Sequence, residues 1–304
     1  MNVYLEELIR DKKKETPNGK VADYIPELKN VNADNLGIYI SDISGNKFFS
    51  GDFDKSFTIQ SISKIMTLML AIMDNGEEYV FSKVGMEPSG DPFNSIKKLE
   101  TSTMKKPANP LINAGAIVVT STIKGKNKKE KFQRILNFIR KISEDDTLDI
   151  NYRVYCSESR TGDRNKSLGY FLKDQGIIEE SVSETLDVYF KQCSIEITAK
   201  HLATIALFLA KNGKNSKDEQ IIDPKTVKIV KTLMYTCGLY DESGEFAVKI
   251  GIPSKSGVGG GILCVVPDKM GIGVYGPALN RYGNSLAGIS VLKELSNKLN
   301  LSVL

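Results

Sequence analysis

Short apolar runs stand at both ends of the chain. Leu36 to Ser41 (LGIYIS) and Lys47 to Ser50 lie on either side of a turn and predict two paired strands. Far along the chain, Gly261 to Val266 (GILCVV) and Met270 to Tyr275 (MGIGVY) are separated by a Pro-Asp pair, which predicts a hairpin. Strands are therefore expected from both ends of the chain.

Between these ends, apolar positions recur with the spacing of amphipathic helices. The predicted helices are Lys64 to Met73, Asn113 to Ile123, Lys129 to Ile142, Leu168 to Lys173, Leu186 to Phe190, Thr198 to Ala210 and Lys225 to Tyr235, with a last one at Ser285 to Leu299. The pattern predicts an α+β fold, with an antiparallel sheet built from both chain ends and a helical subdomain. We expect a single domain, 1–304, with a mixed α/β subdomain at about 1–64 and 225–304 and a helical one at about 65–224. A cleft is expected where the two subdomains meet.

Composition and charge argue against several classes of protein. The 304 residues are 41% hydrophobic and 26% charged, an ordinary globular balance, and the net charge is only +4. The lysine runs at Lys12 to Lys14 and Lys124 to Lys131 sit apart and lack interleaved aromatic residues. They are interpreted as solvated faces, so no nucleic-acid partner is expected.

The first fifteen residues lack the apolar core of a secretory signal, and no stretch is long and apolar enough to span a bilayer. The four cysteines form no CxxC pair, so neither a disulfide framework nor a zinc site is predicted. A cytosolic location, with no membrane partner, is the simplest expectation.

The chain has a single histidine, His201, in a helical run. A site with several histidine metal ligands is therefore excluded, and any histidine base would have to be His201. Packing or display on the helix surface is the favoured interpretation. Nucleophilic catalysis would then need a base of another type.

The pattern Ser-x-x-Lys can supply such a base, but it occurs six times, at Ser44, Ser61, Ser95, Ser102, Ser121 and Ser290. Context favours Ser61, which stands where an extended segment meets a helix. Backbone N–H groups at a helix N-terminus stabilise an oxyanion. Residues three apart share a helix face, so Lys64 is predicted to reach the Ser61 oxygen.

Lys64 opens a helix that is apolar almost all round. Burial and the positive end of the helix dipole both lower a lysine pKa, which favours a neutral amine able to accept the serine proton. The alternative is that Ser61 is a helix N-cap and Lys64 extends to water. This segment alone leaves both interpretations open.

A second element, Lys255-Ser256-Gly257, precedes an apolar strand and is related to the K-T-G pattern that accompanies S-x-x-K in penicillin-recognising enzymes. The glycine run Gly257 to Gly261 is no phosphate loop, because it leads into a strand and not a helix. Gly271-x-Gly273-x-x-Gly276 matches a dinucleotide fingerprint but lies inside a predicted strand, so it is a chance match.

Seven ordered strings resemble the serine-dependent glutaminase family and cover the chain from about residue 19 to the final helix. They are Gly19 to Leu28 (GKVADYIPEL), Gln60 to Lys64 (QSISK), Asn109 to Ile117 (NPLINAGAI), Ser157-Glu158 with Gly162 to Asn165 (GDRN), Tyr189-Phe190 with Gln192 to Glu196 (QCSIE), Cys237 to Tyr240 (CGLY) with Ser243-Gly244, and Lys255 to Gly261 (KSGVGGG).

The resemblance implies a β-lactamase/DD-transpeptidase-like fold and hydrolysis of L-glutamine to L-glutamate and ammonia, without cofactor or metal. It implies four catalytic residues, with Ser61 as nucleophile, Lys64 as its base, Tyr240 in proton transfer and Lys255 tuning the network. The N–H groups of Ser61 and Val258 would form the oxyanion hole. The implied substrate-binding residues are Tyr24, Gln60, Ser61, Asn113, Glu158, Asn165, Tyr189, Tyr240 and Val258.

These implied roles suit a free amino acid, because Glu158 supplies a carboxylate for the ammonium while amides and tyrosine hydroxyls supply hydrogen-bond donors. Taken alone, Glu158 to Asn165 would be interpreted as a solvated loop and Asn113 as a helix N-cap. The family also implies a homo-oligomer, a dimer or a tetramer. Leu99 to Lys106 is Lys-rich where family members vary, so no particular response to phosphate or other activators is predicted.

Two other functions compete with this one. A penicillin-binding protein or β-lactamase needs an S-x-N or Y-x-N element between the two lysine motifs, whereas Tyr282-Gly-Asn284 lies outside that interval. A non-catalytic amino-acid sensor would keep the pocket without turnover. The presence of nucleophile, base and second lysine argues against the sensor.

Overall fold

The computed structural model describes residues 1–90 and 106–304. The Lys-rich segment Leu99 to Lys106 lies, apart from its last residue, outside the described residues. Within the described ranges, no helix combines the length and the apolar character that a membrane crossing requires.

The main sheet has five antiparallel strands, which are β1 Gly37–Asp42, β2 Lys47–Gly51, β5 Ser254–Ser256, β6 Gly261–Val266 and β7 Met270–Tyr275. Their order across the sheet is β2-β1-β7-β6-β5. A separate pair joins β3 Phe57–Thr58 to β4 Glu196–Ile197. Because β1 pairs with β7, the two ends of the chain meet inside one sheet, and the predicted α+β architecture is confirmed.

The helices follow the predicted pattern with additions. In chain order they are α1 Asn2–Lys12, α2 Ser63–Asn75, α3 Glu77–Lys83, α4 Asn113–Ser121, α5 Lys128–Ser143, α6 Tyr152–Thr161, α7 Asp163–Asp174, α8 Val182–Cys193, α9 Ala199–Ala210, α10 Pro224–Cys237, α11 Ser243–Lys249 and α12 Leu286–Leu299. The division into a mixed and a helical subdomain remains a prediction.

Helix α1 lies in a segment for which the sequence pattern predicts no element. Its charged residues dominate the composition, yet Leu5, Leu8 and Ile9 have helical spacing and are buried. They join α12 and one face of the sheet in a shared apolar core. Strand β6 is buried along its whole length, because Leu263 and Val265 contribute instead to the larger core on the opposite face.

Helix α9 covers that opposite face and lies unusually close to β7. A Cβ on Gly271 would stand 2.1 Å from the Leu207 nitrogen, and one on Gly273 would stand 2.0 Å from the Ala199 oxygen. Any side chain at either position would push the helix from the sheet. The glycines that resemble a dinucleotide fingerprint therefore serve helix-on-strand packing.

His201 belongs to the start of α9. The Thr198 side chain accepts from the His201 N–H while His201 Nδ1 accepts from the Thr198 N–H, which forms a reciprocal cap. The His201 Nε2 lies 3.0 Å from Asp145 Oδ2. The histidine thus has a packing and capping role, as favoured from the sequence.

We expect Gly271→Ala to lower the free energy of unfolding by about 1–3 kcal/mol, the usual range for overpacking. The reason is that the added Cβ would clash with backbone atoms of α9, which have little freedom to move. Gly244→Ala is the matched control, because a Cβ there contacts nothing within 4 Å. Urea unfolding measures both variants, and equal stabilities would contradict this account of α9 packing.

Candidate active site

Ser61 lies at a sharp junction between strand β3 and helix α2. A one-turn 3-10 helix, Gln60–Ile62, connects the two, and Gln60 enters it with a left-handed φ of +48°. The Gln60 amide donates to Thr58 Oγ1 at 3.2 Å, which braces the bend. Ser61 therefore sits where the first N–H groups of a helical run have no partner inside the helix.

Lys64 follows one turn later and is only 1% exposed. Its Nζ donates to the Leu111 carbonyl oxygen at 3.0 Å and to Asn113 Oδ1 at 2.7 Å. Burial lowers the Lys64 pKa to about 8, and the nearby Cys193 and Glu158 oppose that shift. The side chain does not extend to water, so the alternative of a solvated lysine does not describe this structure.

Asn113 joins the lysine to a second amide. It is the first residue of α4, and its Nδ2 donates to Asn165 Oδ1 at 2.9 Å. The N-cap position of α4 belongs to Ile112, so Asn113 is not the N-cap that its segment alone suggests. The two asparagines and Lys64 form one connected polar chain, and Asn165 comes from α7.

Glu158 lies on α6 and is 5% exposed, so it does not belong to a solvated loop. Among the described residues its Oε2 is buried without a hydrogen-bond partner. Burial raises the Glu158 pKa to about 8, against the attraction of Lys64. A buried carboxylate oxygen without a partner is suited to receive a cation.

Two tyrosines surround this carboxylate. Tyr189 is 2% exposed, and burial, followed by electrostatic interactions with Cys193 and Glu158, raises its pKa well above the usual value. Tyr24 is 54% exposed overall. Burial nevertheless raises its pKa, and Glu158 and Tyr240 add to the shift. The Tyr24 hydroxyl therefore lies close enough to Glu158 and Tyr240 to interact with both, although the residue as a whole is half exposed.

Cys193 is a site neighbour that sequence reasoning missed. It lies one helical turn after Tyr189 on α8, and it is hydrogen-bonded to the side chains of Ser63 and Tyr189. Burial and then Glu158 raise its pKa, so the thiol stays neutral. The four-residue spacing from Tyr189 was the available signal.

Tyr240 approaches Ser61 from the other side. Burial raises the Tyr240 pKa to about 12, and hydrogen bonds with Ser61 and Ser256 oppose the shift. Its backbone is left-handed, with φ +54°, a conformation that costs roughly 1–2 kcal/mol for a residue with a side chain. The phenol is thus held against Ser61 in spite of local backbone strain.

Lys255 lies beneath the Tyr240 ring. It is completely buried, and its Nζ donates to two backbone carbonyl oxygens, that of Gly238 at 2.9 Å and that of Ser256 at 2.6 Å. The same nitrogen lies 4.4 Å from the centre of the Tyr240 ring. Burial first, and then the charge of Lys64, lowers the Lys255 pKa well below its usual value.

The glycine run after β5 packs on the segment that leads to Ser61. A Cβ on Gly259 would stand 2.3 Å from the Thr58 oxygen, and one on Gly257 would stand 2.8 Å from the Ile59 oxygen. Only glycine permits this approach of two backbones. Val258, 5% exposed, is thereby held in a turn beside the serine segment.

The structure thus brings the predicted residues into one cluster. Tyr240 contacts Ser61, Lys64 contacts Asn113, and Glu158 lies near enough to shift the pKa values of Lys64, Tyr24 and Tyr189. The Gln60 side chain instead turns toward Thr58. In the part of the chain that is described, no group of three or more His, Cys, Asp or Glu residues is arranged to hold a metal ion.

Known proteins share this arrangement of the chain. A family model described as Glutaminase matches residues 19–304. A glutaminase of Fusobacterium nucleatum subsp. nucleatum is 62% identical over 303 residues, covering 100% of both chains. A glutaminase of Clostridium tetani is 57% identical over 304 residues, covering 100% of this chain and 99% of its own.

A solved structure agrees with the sequence relatives. It is the covalent complex between a Bacillus subtilis glutaminase and 5-oxo-L-norleucine, formed by reaction of that protein with 6-diazo-5-oxo-L-norleucine. It has a TM-score of 0.92 and 37% identity, and the match covers 100% of this chain and 99% of that one. The β-lactamase-like fold expected from the resemblance is confirmed. With both its sequence and its fold matched along nearly their whole length, the chain belongs to the glutaminase family, hydrolases that act on the amide C–N bond of glutamine.

Proposed function

We propose that this chain hydrolyses the side-chain amide of L-glutamine to L-glutamate and ammonia through an acyl-enzyme on Ser61, with Lys64 as the base. The observation that carries the proposal is the state of Lys64, which is buried one turn after a serine and has a pKa lowered to about 8. A lysine with a pKa of about 8 carries an available lone pair in roughly one molecule in ten at pH 7, against fewer than one in a thousand for an ordinary lysine.

The hydrogen bonds of Lys64 support this role. A neutral amine has two N–H donors and one lone pair, whereas an ammonium has three donors and none. The Leu111 oxygen and Asn113 Oδ1 occupy two donors. In the neutral form the lone pair then remains for the Ser61 proton.

In the proposed cycle, the Ser61 oxygen attacks the side-chain carbonyl carbon of glutamine while its proton passes to Lys64. The N–H groups of Ser61 and Val258 stabilise the resulting oxyanion. The C–N bond breaks as the nitrogen receives a proton through Lys64 or Tyr240, and ammonia leaves. Water then attacks the glutamyl ester, losing its proton to the same relay, which returns the Ser61 hydroxyl and releases glutamate.

The α-ammonium and α-carboxylate of glutamine would bind on the side of the cluster away from Ser61 and Lys64. The unpartnered oxygen of Glu158 is suited to the substrate ammonium, while Asn165 and the hydroxyls of Tyr24 and Tyr189 offer donors for its carboxylate. The Bacillus subtilis relative reacts covalently with 6-diazo-5-oxo-L-norleucine, an amino acid whose 5-oxo group stands at the position of the amide carbonyl of glutamine, which supports a covalent mechanism on a glutamine-like ligand.

A cytosolic location, expected from the cysteine pattern and the charged first fifteen residues, and assembly as a dimer or tetramer, expected from the family resemblance, are further parts of this proposal. Light scattering of the purified protein gives the assembly mass. A monomer at assay concentration would contradict the proposed assembly and leave the proposed chemistry unaffected.

We expect Ser61→Ala to reduce the kcat for ammonia release from L-glutamine by at least about a thousandfold, the scale seen when a nucleophile is removed. L-Glutamine and L-asparagine should be compared with and without phosphate, and only glutamine should react. Ser290→Ala is the matched control, since Ser290 also precedes a lysine by three positions but bonds Glu15 instead. Full activity in Ser61→Ala would refute the mechanism. Binding without turnover by the unmodified protein would favour a sensor.

We expect Glu158→Gln to raise the KM for glutamine about 10- to 100-fold, the scale of a lost charge-assisted hydrogen bond, with a smaller effect on kcat. The neutral amide removes the charge that would pair with the substrate ammonium. Glu179→Gln is the control, because Glu179 forms an exposed ion pair with Lys83. A KM that does not change in Glu158→Gln would count against this role.

The rate should increase with pH between about 6 and 8. Lys64 must be neutral to act as a base and Glu158 must be ionised to bind the ammonium, and both have a pKa of about 8. Both requirements are lost as pH falls, so log kcat/KM should approach a slope of about two at low pH. In Glu158→Gln the slope should fall to about one. A flat profile in both proteins would contradict these assignments.

A further inference from the structure

A buried polar network lies behind Tyr240 and contains no residue of the proposed chemistry. At its centre is Asn284, which stands in the turn between β7 and α12 and is completely buried. This is the asparagine of Tyr282-Gly-Asn284, the element whose position outside the interval between the two lysine motifs argued against a penicillin-recognising enzyme. Its side chain bonds three partners, which lie 28 to 45 residues away in the sequence.

Each hydrogen-bond partner of the Asn284 side chain is close in sequence to Lys255 or Tyr240, two residues of the proposed site. Its Oδ1 accepts from Ser256 Oγ at 2.5 Å, and Ser256 follows Lys255. Its Nδ2 donates to the Leu239 oxygen at 3.2 Å, immediately before Tyr240. The same Nδ2 donates to Glu242 Oε2 at 2.6 Å, at the end of the turn that contains Tyr240.

Tyr240 needs such support because its backbone occupies the left-handed region. It begins a 3-10 turn, Tyr240–Glu242, and Asn284 bonds the residue before that turn and the last residue within it. The adjacent Gly283 faces the phenol, since an added Cβ there would come within ordinary contact distance of Tyr240 Cε2, at 3.8 Å. The Asn284 amide therefore fixes both ends of the turn that aims the hydroxyl at Ser61.

We propose that Asn284 is a positioning residue, which sets the direction of the Tyr240 hydroxyl by joining Leu239, Glu242 and Ser256. This inference deepens the proposed function and rests on its proton relay through Tyr240. It assigns Asn284 no contact with substrate. Loss of Asn284 should then affect proton transfer more than binding of glutamine.

The first test compares single variants. Asn284→Ala should lower kcat for ammonia release by about 10- to 100-fold, as expected when a reacting group is displaced by about 1 Å. The KM for glutamine should change by less than about threefold. Ser256→Ala removes one of the three contacts and should lower kcat by a smaller factor. Ser254→Ala is the matched control, because this buried hydroxyl on the same strand donates to the Ile252 oxygen and is hydrogen-bonded with Cys264, away from Asn284.

The decisive measurement is a double-mutant cycle with Tyr240→Phe. If Asn284 acts through the Tyr240 hydroxyl, Asn284→Ala should reduce kcat in the unmodified protein and have almost no further effect once Tyr240→Phe is present. Equal fold reductions in both backgrounds would overturn the proposal. Circular dichroism and thermal melting identify a variant that fails to fold, in which case Asn284→Asp replaces Asn284→Ala in the cycle.

A rescue experiment separates this role from general loss of packing. Asn284→Asp places a carboxylate beside Glu242 and should reduce kcat. Adding Glu242→Gln restores an amide–carboxylate hydrogen bond, in which the residue at position 242 is now the donor and the one at position 284 the acceptor. The double variant should therefore have a higher kcat than Asn284→Asp alone. No recovery in a folded double variant would count against the network.

The two proposals fail separately. Full activity of Ser61→Ala would refute the relay itself. Inactive Ser61→Ala together with an additive cycle would refute only the role of Asn284.

Discussion

The burial of the Lys64 ammonium is the constraint on which the rest of the site depends. A lone buried charge costs several kcal/mol, and the protein offsets this with two oxygen acceptors and a lowered pKa. Burial likewise disfavours the charged form of Glu158, which is an anion, and so raises the pKa of Glu158. Burial moves both pKa values toward neutrality although the two charges attract each other. Desolvation therefore outweighs attraction at both groups, and a base and an acid with matched pKa values result.

Close backbone contact holds this cluster in place. At Gly257 and Gly259 the turn after β5 packs directly on the segment before Ser61. At Gly238 the end of α10 packs just as closely on β5, since a Cβ there would stand 1.8 Å from the Ser254 carbonyl oxygen. Contacts between main-chain atoms leave little room for side-chain rearrangement. The geometry around Ser61 is thus set by the sheet and its turns, which suits groups that must be oriented before reaction.

The sequence predicted those parts of the site that depend on local pattern. Ser61 and Lys64 could be selected because a strand meets an apolar helix there, and the sheet could be predicted from apolar runs at both ends. The left-handed backbone of Tyr240 and the contacts of Asn284 depend on segments distant in sequence, which no periodicity reveals. Helix α1 was missed because three buried residues are outnumbered by charged ones. The interpretation that the glycine runs bind no phosphate stays a prediction, while the packing partners of these glycines are brought together only by the tertiary fold.

The opposed charges of Lys64 and Glu158 also link binding to chemistry. Glu158 attracts the Lys64 ammonium and so raises the Lys64 pKa, against the effect of burial. A substrate ammonium placed on Glu158 would neutralise that attraction and add a repulsive charge of its own. Both changes favour neutral Lys64, by the same rule that lowers a lysine pKa beside a second cation. Substrate binding would then produce the base that the next step requires, and a ligand without an ammonium would leave Lys64 more often protonated. In the proposed mechanism, the pocket that would select an amino acid and the lysine that would activate Ser61 are therefore one electrostatic unit.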